Sequence, residues 1–80
     1  MLPLEIAIGF ALELLARADK SFEGIAKETG LTVEQVTFLG SGLLEELSGD
    51  EIIRLVREVP AGLTPEQVRD YMFPLVHFGS

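Results

Sequence analysis

The chain alternates between stretches whose apolar residues recur every three or four positions and short breaks built from glycine, serine, threonine and proline. That spacing puts side chains on one face of an α-helix, so the pattern predicts an all-α chain without strands. The first segment, about 4–18, is apolar around most of its girth. Leu4, Ile6, Ile8, Phe10, Leu12, Leu14 and Leu15 leave only the stripe Glu5, Gly9, Glu13 and Arg17 for water. Such a helix is either the central helix of the core or the helix of a dimer. Pro3 stands near its start, where a missing N–H does no harm.

Four more helices are expected at about 22–29, 32–39, 49–59 and 65–73, each preceded by a capping residue. Ser21 precedes the second. Thr32 with Gln35, Ser48 with Glu51, and Thr64 with Gln67 have the spacing of a capping box, and Pro65 takes the first helical position of the fifth helix. Gly30 supplies the left-handed residue that ends a helix, and Gly40 and Gly42 stop the third helix. Ile52, Ile53, Leu55, Val56 and Val59 form the apolar side of the fourth. Pro74 is expected to end the fifth, because it lacks the N–H that would bond to Asp70 and disfavours helical backbone at Phe73. Residues 74–80 are therefore expected as an extended or kinked tail. Segments 30–36 and 62–68 read GLTVEQV and GLTPEQV, with unmatched flanks. They use one helix-start chemistry twice and do not make a repeat protein.

Composition changes this picture in two ways. The 80 residues suffice for one domain, spanning 1–80, yet 48% are hydrophobic, mean hydropathy is positive and no cysteine is present. A chain this short buries only about 60% of its unfolded surface, so surplus apolar surface is expected against another chain. The candidates are Ile8, Leu12 and Leu15 of the first helix and Tyr71, Phe73, Leu75 and Phe78 near the C-terminus, forming a homodimer. The alternative is a tail folded over its own core. The second change is the net charge of −7, which opposes DNA and anionic membranes and suits a basic protein partner. The absence of cysteine fits a cytoplasmic protein. Residues 1–18 are interrupted by Glu5 and Glu13 and preceded by no Lys or Arg, so neither a secretory signal nor a membrane span is expected.

Candidate chemistry is sparse. His77 is the single histidine, and without cysteine it cannot complete a usual zinc site. Glu45-Glu46 and Asp50-Glu51 have the residue types of an acid/base dyad or a cation site. Neighbouring carboxylates at helix ends are normally solvated, however, and Asp50 and Glu51 suit the dipole of a helix start. Gly40-Ser41-Gly42 lacks the lysine of a phosphate-binding loop, and neither Ser41 nor Ser48 has a nearby histidine to activate it. The expectation is a non-enzymatic chain with no catalytic, cofactor-binding or metal-ligating residues.

One motif is more specific. In segment 22–39, Ala26 is small where two helices would cross, Gly30 follows four residues later in the turn, Leu31 plugs the corner, and Val36 and Leu39 face back to the core. With Gly42 sixteen residues after Ala26, this resembles the helix-turn-helix of the λ-repressor-like superfamily over residues 5–73, which implies a compact five-helix bundle. Ser21-Phe22, Ile25-Ala26, Thr29-Gly30-Leu31, Val36-Thr37 and Gly42 also resemble the N-terminal helical domain of cyanases, as do Val59-Pro60, Tyr71 and Phe78-Gly79. That resemblance implies a domain that builds an oligomer. Anchored on Phe78-Gly79, the family's catalytic Arg and Glu fall on Asp70 and Phe73, so the likeness extends to scaffold and not to cyanate decomposition.

The superfamily resemblance implies a recognition helix at 32–39 with Thr32, Val33, Glu34, Gln35, Thr37 and Phe38 outward and Lys27 near the DNA. Gln35 has the chemistry to read adenine and Glu34 to accept from cytosine. Against this, no basic residue lies between Glu28 and Arg54, Glu45, Glu46, Asp50 and Glu51 stand where phosphates would be, and only Arg17, Lys20 and Lys27 lie near the docking face. The expected function is a protein-interaction or assembly module with a regulatory role that associates with itself. A DNA-binding regulator and a non-catalytic fragment of a cyanase-like protein are the alternatives.

Overall fold

Side-chain caps start four of the helices in the computed structural model, which describes residues 2–78. In chain order the five helices are α1 (Leu4–Arg17), which has no side-chain cap, α2 (Phe22–Thr29), α3 (Val33–Leu39), α4 (Gly49–Val56) and α5 (Pro65–His77), with no strand among the described residues. The first backbone N–H groups of a helix have no partner within it, and a short polar side chain just before it supplies one. Ser21 Oγ accepts from the Gly24 N–H at 3.1 Å. Thr32, Ser48 and Thr64 do the same for Gln35, Glu51 and Gln67, whose own side chains accept from the cap N–H, so all three capping boxes form as expected. Gly30 closes α2 in the left-handed conformation, with φ 81°.

Helix α3 is the hub. It packs against each of the other four helices, and Val36 and Phe38 are fully buried. Of the two expected places for α1, the centre of the core is taken by α3, and α1 lies to one side of it. Ala7, Ile8, Ala11 and Leu14 face the core, and Leu2, Ile6 and Phe10 face out. The alanines settle which face turns inward, because small side chains let α2 and α3 approach the α1 backbone closely. Val68 and Met72 of α5 complete the core with Leu55 and Val56 of α4. The whole measures 31 × 25 × 22 Å. No helix of the described residues is long and apolar enough to cross a membrane.

Two boundaries differ from expectation. Helix α4 stops at Val56, not near residue 59. The chain then tightens, with Glu58 N–H donating to the Leu55 carbonyl and Val59 N–H to that of Val56, which keeps Val59 buried. Helix α5 does not end at Pro74 but runs to His77. The proline ring deprives the Asp70 carbonyl of its donor, but Asp70 is exposed and water can replace the lost bond. Beyond the proline, Leu75 and Val76 pack against the core and Phe78 N–H donates to the Pro74 carbonyl at 2.7 Å. Packing of this last turn outweighs the local penalty. Of the expected tail, Gly79 and Ser80 lie outside the described residues.

Candidate functional site

The residues expected to face DNA are held by the rest of the chain. Thr32 and Gln35 close the capping box at 3.0 Å in both directions. The Gln35 amide also donates through Nε2 to the Val56 carbonyl at 3.0 Å. One step before it, Glu34 Oε2 accepts the Gly62 N–H at 3.0 Å. The stretch between α4 and α5 thus docks on the N-terminal half of α3, where a reader of bases would need bare side chains. Thr37 is not outward: it is 7% exposed, and its hydroxyl donates to the Val33 carbonyl at 2.8 Å. Phe38, also expected near the surface, is fully buried. Their inward position follows from α3 being enclosed by helices on several sides. Val33 remains outward on α3, and Lys27 is exposed on α2.

The expected interface residues divide. Ile8 lies in the core at 4% exposure, and Leu12, Leu15 and Leu75 are half-buried and packed against it. Burial assigns Ile8 to intramolecular packing and corrects its placement on an outer face. Tyr71, Phe73 and Phe78 are exposed. Sequence reasoning missed Ile6 and Phe10, the large apolar side chains that α1 turns to the surface, and Leu2 just before the helix. Their four-residue spacing, shared with no charged residue, was the available signal.

Two crevices open on this surface. The first, about 390 Å³, lies between the starts of α2 and α5 and the end of α3, among Phe22, Thr37, Gly40, Ser41, Glu66 and Arg69. Arg69 is engaged there, donating to the Ser41 carbonyl at 3.3 Å. A side chain at Gly40 would bring its Cβ to 2.9 Å from the tip of the Phe22 ring, which would have to shift to admit it. The second, about 440 Å³, lies among Gly42, Leu43, Glu45, Glu46, Leu47, Glu51, Val76 and His77. Glu45, Glu46 and Glu51 of the acidic pairs border it, and Asp50 does not; no group of three or more His, Cys, Asp or Glu among the described residues is placed to hold a metal ion. The His77 ring lies tilted at 47° against that of Phe73, with centroids 4.3 Å apart. Ser41 donates to the Phe38 carbonyl at 2.6 Å, and Ser48 is spent on its cap. Among the described residues no buried side-chain polar atom lacks a partner. The arrangement offers surfaces for contact, with no nucleophile held against a base.

No protein-family model matches the chain, and comparison with curated proteins and with solved structures finds no match either.

Proposed function

We propose that this chain is a non-enzymatic protein-interaction or assembly module in which α2 and α3 keep the spacing of a helix-turn-helix while α3 serves as an internal clamp. The λ-repressor-like and cyanase-like resemblances enter only as the source of that scaffold. One observation carries the proposal: Glu34 and Gln35, the side chains best suited to read bases, are bonded to the backbone at Gly62 and Val56. Freeing them for DNA would break intramolecular bonds and leave those backbone groups to water. Net charge of −7 adds long-range repulsion from phosphates. A cytoplasmic location belongs to the same proposal and rests on the lack of cysteine.

Self-association is its second part. Leu2, Ile6 and Phe10 leave an apolar strip on α1, and Gly9 beside them has nothing within 4 Å of where a Cβ would stand. Glycine inside a helix costs about 1 kcal/mol against alanine, and no contact within the chain requires it here. A helix from a second copy, crossing antiparallel between residues 6 and 9, would set Ile6 of each copy over Gly9 of the other. A two-fold contact demands that reciprocity. Tyr71, Phe73 and Phe78 extend the apolar surface available to a partner. Sedimentation over a range of concentrations tests this: a dimer that Ile6→Asp dissolves supports it, and a monomer at every concentration contradicts it.

A further inference from the structure

We propose that the groove between the 42–47 turn and the end of α5 docks a basic, amphipathic segment of a partner protein. This rests on the protein-interaction function above and gives the partner its chemistry. Half-buried Leu43, Leu47 and Val76 supply an apolar strip at the floor of a cavity of about 440 Å³ whose lining is otherwise mostly polar. Glu45, Glu46 and Glu51 line the same cavity with exposed carboxylates. At the edge of the groove the His77 ring lies tilted against Phe73, and the Phe73 and Phe78 rings lie 6.4 Å apart, so the apolar strip continues as an aromatic surface. Phe78 is 78% exposed, which leaves most of its ring for a partner to cover.

Charge selects the occupant. The ion pair among the described residues, Lys20–Glu28, lies elsewhere, and none of these glutamates meets a basic side chain within the fold. Glu51 spends Oε1 on its cap, while Glu45 and Glu46 make no side-chain hydrogen bond among the described residues. A ligand with one apolar side flanked by Lys or Arg satisfies both the floor and the rim. Nucleic acid and anionic lipid bring the wrong sign of charge. A lone cation would leave the apolar floor unused.

The test titrates the full chain into a fluorescein-labelled synthetic helix with one leucine face and one lysine face, with a leucine–glutamate helix as control. Anisotropy gives affinity, and amide chemical shifts locate the contact. The lysine helix should bind with shifts clustered at Gly42, Leu47, Val76 and His77. Glu45→Lys/Glu46→Lys should weaken it about tenfold, because close cross-interface charge pairs are lost. Glu13→Lys/Asp19→Lys carries the same net charge on exposed residues outside the groove and should change affinity by less than about threefold. All four positions are exposed, and circular dichroism matching the parent shows that each variant is folded. Equal losses in the two variants, shifts centred on α1, absence of binding, or equal binding of the glutamate helix would each overturn the proposal. So would a dimer that Glu45→Lys/Glu46→Lys dissolves, since a second copy would then occupy the groove. Any of these without DNA binding overturns the partner chemistry alone; salt-sensitive DNA binding overturns the interaction function itself.

Discussion

The Glu34 carboxylate accepts the backbone N–H of Gly62 at 3.0 Å, tying the first of two near-identical segments to the glycine that opens the second. Gln35, next along α3, reaches the Val56 carbonyl. Together they fasten the connection between α4 and α5 to the central helix. Gln35→Ala removes a capping-box partner and a long-range hydrogen bond, so it should cost about 2 kcal/mol. In a domain of this size that lowers Tm by roughly 10 °C. Glu34→Ala should cost about half as much, since one bond at a partly exposed site is lost. Thermal unfolding followed by circular dichroism checks both. Unchanged Tm in Gln35→Ala would mean that the side chain stands free for a ligand.

Gly9→Ala separates the stability of the single chain from its assembly. With open space around the site, the added methyl group should raise stability by about 1 kcal/mol through helix propensity. The same methyl group would hold two α1 helices apart and weaken a dimer that crosses there. Tm of dilute protein should rise while sedimentation at high concentration shows less dimer. A dimer indifferent to the change would move self-association away from this face of α1.

Pro74→Ala restores a helical N–H opposite the Asp70 carbonyl, in a helix that already passes through the position. Stability should rise by about 1–3 kcal/mol, read as a higher midpoint in urea at unchanged slope. A fall would show that the exposed proline ring makes a contact worth more than the missing bond.

Ala18 ends α1 with φ 56°, the single left-handed residue other than glycine among the described residues. Its Cβ makes that conformation unfavourable by roughly 1–2 kcal/mol. Ala18→Gly should recover about half of that, because glycine also loses more freedom on folding. Urea midpoints measure it, and a destabilised variant would place α1's end in another conformation.

How much of this was legible depended on range. Ser21, Thr32, Ser48 and Thr64 cap helices through partners three residues away, and Gly30 turns left-handed within its own peptide, so local chemistry announced all of them. Pro74 misled because its penalty is local while the packing of Leu75 and Val76 that overcomes it is not. Helix α1 carries apolar residues nearly all round, and only the tertiary fold decided that Ala7 and Ala11 turn inward while Ile6 and Phe10 do not. At the candidate site, the sequence singled out Glu34 and Gln35 and the lack of positive charge on α3, while Thr37 and Phe38, expected outward, are buried. The engagement of Glu34 and Gln35 was hidden, because Gln35 meets its carbonyl 21 residues away and Glu34 its amide 28 residues away. The groove under Glu45 and Glu46 was equally hidden, since its floor needs Val76, brought there by the turn of α5 that the sequence argued against.

Random duplex DNA titrated with the chain by fluorescence anisotropy at low salt, then taken through a salt series, tests most directly whether α3 is a clamp or a reader. A clamp on an acidic chain predicts no saturable binding even at the lowest salt. Micromolar binding that falls steeply with salt, and that Lys27→Ala or Gln35→Ala weakens without loss of fold, would contradict it and make α3 a reader of DNA.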